Sequence, residues 1–141
     1  MTPEQIRLVQ DSFNEVIPIS DQAAELFYGR LFSENPQFKA LFSGDMQGQG
    51  KKLMQHLNMV VRGLNKIEQI APAVQSLGRK HVDYGVKPED YAAVGQALIW
   101  TLEQGLGRNF TPEVRDAWLA AYQVLATTMI EAASHESKDA A

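Results

Sequence analysis

Val74-Gln75-Ser76-Leu77-Gly78-Arg79-Lys80-His81, running on into Val82-Asp83-Tyr84-Gly85-Val86, decides how the rest of the chain is read. On a helix Val74, Leu77 and His81 stand at i, i+3 and i+7, so the imidazole shares the apolar face that the helix turns inward. Arg79 and Lys80 lie off that stripe, where long cationic stems can carry charge to the edge of whatever the imidazole faces. The spacing predicts a helix from about Ile70 to Asp83, with Gly85 as a left-handed stop.

Working outward, every neighbouring segment also repeats at helical spacing. Thr2-Pro3-Glu4-Gln5 opens a first helix with a cap, a first-turn proline and a capping-box glutamine, and Pro18 ends it. Ser20-Asp21 starts a second, with Ala24, Phe27, Tyr28, Leu31 and Phe32 inward, punctuated by Asn35-Pro36. A short turn through Phe38, Leu41 and Phe42 leads into the loosest stretch, Ser43 to Gly50. A long helix follows from Met46 or Lys51 to about Asn65, its first turn weakened by Gly48 and Gly50 at about 1 kcal/mol each. Pro88 is expected to set the first turn of the helix carrying Tyr91, Val94, Leu98 and Leu102. Thr111-Pro112-Glu113 opens the last one, through Trp118, Ala121, Tyr122, Leu125 and Met129. No stretch alternates with period two between hairpin turns, so the fold class is all-α, with six to eight helices of mixed length. One domain is expected over residues 1–133, and residues 134–141, with His135, read as a flexible C-terminal tail.

Composition narrows the function classes. A length of 141 residues suits one domain, and 45% hydrophobic with 21% charged residues is a globular balance. The net charge of −4, with no long basic cluster, argues against nucleic acid as a partner. With no cysteine in the chain, disulfides, thiolate metal ligands and cysteine nucleophiles are excluded, so any metal rests on histidine, carboxylate or a prosthetic group. Neither a secretory signal nor a membrane-length apolar run is present, which places the protein in the cytoplasm with no membrane partner. On these grounds His81 reads either as a hydrogen-bonded core residue or as an axial ligand to haem iron, with the nearby cations serving the propionates.

The order of features resembles the globin family, in particular single-domain bacterial haemoglobins and the haem domain of flavohaemoglobins; the second half is also similar to neuroglobin. The resemblance covers Ile6 to about Met129. It is carried by Phe27-Tyr28-Gly29-Arg30-Leu31-Phe32, Asn35-Pro36 with Leu41-Phe42, Gln49 to Leu53, Leu77 to His81 with Gly85-Val86, and Phe110-Thr111-Pro112 with Ala117-Trp118 and Tyr122. Gln49 precedes His81 by 32 positions and Phe42 follows Tyr28 by 14, which matches the bacterial pattern without a gap.

The resemblance implies a globin fold packed around haem b (iron protoporphyrin IX), with His81 as the proximal metal ligand and Phe42 on the haem face. Tyr28, Gln49 and Leu53 would form the distal set. Lys52 and Lys80 are expected as propionate partners or as solvated surface charges, and Leu77, Val86, Val94 and Leu98 as pocket lining or plain core. Tyr91 would orient the imidazole or simply pack as a core aromatic. A glutamate of the last helix completes the proximal network in flavohaemoglobins; here Ala133 holds that register and Glu131 lies roughly 200° around the helix. That departure puts any peroxidase-like electronic push in doubt. Gln49 replaces a distal histidine, so the sixth iron position is expected to stay open; His56 lies about 10.5 Å further along the helix and reads as a rim residue.

Two donors, a tyrosine hydroxyl and a glutamine amide, would hold bound oxygen through hydrogen bonds worth on the order of 1 kcal/mol each, slowing its release. The implied function is reversible, high-affinity oxygen binding. The alternative is nitric oxide dioxygenation, which needs re-reduction by an external reductase because the chain has no room for flavin and nicotinamide modules. A gas sensor acting through a partner and a helical interaction protein without haem complete the set. Oligomeric state is left open.

Overall fold

The computed structural model describes residues 1–42 and 44–140, with residues 135–140 described by backbone alone. Six α-helices are formed by the described residues: α1 Pro3–Val16, α2 Ser20–Glu34, α3 Met46–Arg62, α4 Ile67–Asp83, α5 Asp90–Leu106 and α6 Pro112–Ala140. Short 3-10 turns at Ile17–Ile19, Pro36–Leu41, Leu64–Lys66 and Gly107–Asn109 join them, and no strand occurs among the described residues.

Local chemistry sets the helix ends. Thr2 Oγ1 accepts from Gln5 N at 3.1 Å while Gln5 Oε1 accepts from Thr2 N at 3.0 Å, a closed capping box. Asp45 caps α3 by accepting from Gln47 N at 3.0 Å, a signal the sequence reading passed over. This cap offsets part of what Gly48 and Gly50 cost, and α3 begins at Met46. Helix α4 starts at Ile67, earlier than its periodicity suggested, which puts Pro72 inside it. The contact between Ile70 and Gly63, where a Cβ would lie 2.4 Å from Ile70 Cγ2, anchors that extra turn. Helix α5 starts at Asp90, two residues after Pro88, because Asp90 Oδ2 accepts from Lys87 N at 2.9 Å and closes the preceding residues into a turn.

The core is built where α1, α2, α5 and α6 meet, from Val9, Phe13, Leu31, Leu102, Ala117 and Trp118, all buried. Trp118 Nε1 donates to Ser12 Oγ at 2.8 Å, satisfying the indole across the α1 to α6 contact. Gln10 Nε2 donates to Val61 O at 2.9 Å and ties α1 to the end of α3. Helix α6 is continuous through Ala140, where the sequence reading ended the domain at 133. The tail expectation for residues 134–141 falls mostly on residues outside the full description, as does Ser43 in the stretch read as loose.

Candidate functional site

Helix α4 packs on α6 and has little contact with α3, whose own partner is α2. Glycines make both close approaches possible. A Cβ at Gly78 would lie 2.4 Å from Met129 O, so α4 and α6 touch backbone to backbone; a Cβ at Gly50 would lie 2.9 Å from Ala24 Cβ, so α3 rides directly on α2. A set of apolar side chains on α3, α4, the connection after it and α5 is only half covered: Leu53 and Leu57 from α3, Leu77 from α4, Val86 from the connection, Tyr91 and Val94 from α5. Leu98, one turn further along α5, is buried in the core.

His81 occupies the last turn of α4 and is half-buried. Its Nδ1 lies 2.7 Å from Leu77 O. A carbonyl only accepts, so Nδ1 carries the proton and Nε2 keeps its lone pair. Burial pushes the imidazole below its ordinary pKa, and the bond to Leu77 opposes part of that shift. The helix ends around this residue: Val86 N donates to His81 O at 2.9 Å and Gly85 N to Val82 O at 3.0 Å, with Gly85 at φ +89°. This pair of bonds fixes Val86 beside His81.

Tyr91 lies against the imidazole, ring centroids 6.4 Å apart and 27° between planes, with Tyr84 tilted on another side at 6.1 Å. Tyr91 is itself held from behind. Tyr122 Oη donates to Tyr91 O at 2.6 Å, and Gly95 admits the Tyr122 ring, since a Cβ there would lie 2.7 Å from Cε2. Burial, with Tyr91 adding to it, raises the Tyr122 phenol well above its ordinary pKa, so it stays a donor. Sequence reasoning gave Tyr122 no role beyond the core, because a bond between helices leaves no spacing signal. No carboxylate among the described residues bonds to His81 or to the Tyr91 hydroxyl.

Tyr28 sits on α2 with 8% of its surface exposed, surrounded by Phe27 at 5.0 Å, Phe42 at 5.3 Å and Phe32 at 5.9 Å between centroids. Burial raises its phenol above the ordinary value, and the Gln49 side chain opposes part of that rise. The amide therefore lies close to the hydroxyl, a pairing that the Gly50 to Ala24 contact makes possible. Phe42 packs on Phe32 as well, at 5.4 Å. Lys52 and Lys80 are exposed. His56 sits on the rim, yet its pKa is lowered by burial and then by the charges of His81, Lys80 and Lys52. His56 therefore lies near enough to His81 and Lys80 to feel their charge, which counting along one helix axis could not reveal.

The all-helical fold thus carries a histidine free at Nε2 beside half-covered apolar side chains, and a buried phenol with an amide near it. The family model for globins matches residues 25–129. The chain belongs to the globin family. This globin is 32% identical to a globin-like protein of Aquifex aeolicus over 92% of each chain. It is 28% identical to a flavohemoprotein of Vibrio cholerae across 93% of its own length. It spans about a third of that protein, 34%, and a comparable share, 30%, of the Bacillus subtilis flavohemoprotein. Among solved structures, a bacterial globin from Campylobacter jejuni superposes with a TM-score of 0.85 at 25% identity, covering 97% of this chain and 99% of that one. An engineered carbene transferase from Rhodothermus marinus superposes at 0.89 with 22% identity, over 98% of this chain and 96% of that one, a likeness of fold. No helix among the described residues is long and apolar enough to cross a membrane.

Proposed function

We propose that this globin holds a haem, as haem b, against the half-covered apolar wall and binds oxygen reversibly and tightly beside Tyr28 and Gln49. The residues fit such a group. His81 presents an unprotonated Nε2 whose ring is oriented by Leu77 O and the Tyr91 face. Leu53, Leu77, Val86, Val94 and Phe42 offer the apolar surface that a flat macrocycle covers, with Leu98 packed behind them, and Lys52 and Lys80 stand exposed to meet carboxylates at its edge. When bound, haem supplies an iron at which a diatomic gas can be held.

The observation that carries the oxygen reading is the buried phenol of Tyr28 next to the Gln49 amide. Burial keeps the phenol protonated and able to donate, and the amide adds a second donor. Two hydrogen bonds in a dry pocket, each on the order of 1 kcal/mol or more, slow the escape of a ligand carrying partial negative charge by about tenfold or beyond. Glutamine is a poor ligand for iron, so the gas side stays open. Stopped-flow oxygen release from the haem-loaded protein tests this, with Tyr28→Phe expected to release oxygen at least about tenfold faster. An unchanged rate removes Tyr28 from the mechanism.

Likeness to flavohemoproteins favours a second reading, nitric oxide dioxygenation served by a separate reductase. The same two donors would polarise the oxygen that nitric oxide consumes. Repeated nitrate formation in the presence of a reductase selects this reading; a single stoichiometric oxidation selects the binder.

A further inference from the structure

Val82 and Tyr84, one and three residues beyond His81, leave 45% and 61% of their surfaces exposed, more than any other large apolar side chain among the described residues. Tyrosine is a common anchor of protein contacts, because its ring offers a large apolar face and its hydroxyl tolerates water. The Tyr84 ring also lies 6.1 Å from the His81 ring, between centroids. The corner where α4 gives way to α5 therefore leads from solvent to the imidazole through one side chain.

Charge around this corner identifies the occupant. Residues 39–90 carry eight lysines and arginines against five acidic residues, whereas the rest of the chain carries five against twelve, so an acidic protein has one basic stretch. Parts of that stretch converge at the corner. A Cβ at Gly85 would lie 3.4 Å from Leu41 Cδ2, which seats the turn bearing Lys39 beside the connection bearing Lys87. Lys80 of α4 and Lys52 of α3 are both near enough to His56 to act on its charge. Lys39, Lys52, Lys80 and Lys87 are exposed, and none forms an ion pair among the described residues. Of the acidic residues beside them, Asp90 is turned back onto Lys87 N, while Asp83 and Glu89 are exposed. We propose, on the reading in which a separate reductase serves the haem, that this corner is the globin's electron entry: an acidic flavin protein docks on Lys39, Lys80 and Lys87 around Tyr84 and delivers one electron by way of the Tyr84 and His81 rings. The donor's anionic flavin hydroquinone loses one electron and becomes the neutral semiquinone, and ferric iron gains it and becomes ferrous; no bond forms or breaks and no proton moves. Opposed charges on the two proteins speed the encounter and set its orientation, and salt screens them.

Stopped-flow reduction of the ferric, haem-loaded chain by photoreduced flavodoxin, an acidic flavin protein, tests this, and calorimetric titration with oxidised flavodoxin gives the affinity. Binding is expected at low salt and is expected to weaken by about tenfold or more when salt is raised to about 0.5 M. Lys39→Glu and Lys87→Glu are each expected to weaken it by about three- to tenfold, and Arg108→Glu, outside the basic stretch, by less than about twofold. Tyr84→Leu is expected to slow reduction by flavodoxin severalfold more than reduction by dithionite, which needs no docking. Circular dichroism melts confirm that each surface variant is folded. Soret absorbance is read in every sample: a chain without haem fails together with the proposed function, whereas a haem-loaded chain that flavodoxin neither binds nor reduces overturns the entry site alone. Binding indifferent to salt and to both lysine variants overturns it, as does equal slowing of the two reductants by Tyr84→Leu. Capture by phosphatidylglycerol vesicles, with no affinity for flavodoxin, would overturn it by assigning the basic stretch to an anionic lipid surface.

Discussion

Tyr28 and His81 are both polar groups kept in apolar surroundings, and their protonation follows from where they sit. Burial holds the Tyr28 phenol protonated and the His81 imidazole neutral, the two forms that a donor and a ligand require. The same burial has a cost in acid. His81 and His56 both have folded pKa values below their ordinary 6.5, so the unfolded chain binds more protons as pH drops below that point. Stability in the haem-free protein is therefore full above about pH 6.5 and falls steadily as pH drops toward the depressed folded values. Thermal melts between pH 7.5 and about 5 should show the decline, and His56→Gln should make it shallower. The face His81 occupies was legible from the i, i+3, i+7 spacing. The tautomer was not, because it depends on where Leu77 O lies in three dimensions.

Helices meet here through glycines, and single added methyl groups should expose that. Gly78→Ala forces α4 away from the Met129 backbone and is expected to cost about 1–3 kcal/mol, read by urea denaturation; a neutral result would mean that α4 shifts freely on α6. Gly50→Ala pushes α3 from Ala24 and should separate Gln49 from Tyr28, raising the oxygen release rate more than it lowers stability. Tyr122→Phe removes the side-chain donor to Tyr91 O and is expected to lower stability by about 0.5–1.5 kcal/mol in the same assay. Sequence patterns showed these glycines as weak points of helices or passed over them. Their use as contact points rests on which helix lies opposite.

At the scale of the whole molecule, the core of α1, α2, α5 and α6 is closed while the wall around His81 is half covered. A chain that leaves apolar surface open gains stability from whatever covers it and binds only the folded state. Haem loading is accordingly expected to raise the melting temperature, and His81→Ala to remove most of that gain while leaving the haem-free melt little changed. Equal melting temperatures with and without haem would contradict the proposed pocket.

The sequence by itself determined that the chain is helical, which faces turn inward, where Thr2 and Thr111 start helices, and the globin resemblance that the family match bears out. These rest on interactions within a few residues, and periodicity records them directly. Only the tertiary structure decided that α4 docks on α6 rather than on α3, that Tyr122 braces Tyr91, and that His56 comes near enough to His81 to feel its charge. Such contacts join residues as far apart as 106 positions, as in Trp118 and Ser12, and depend on matching surface shapes that no local spacing encodes.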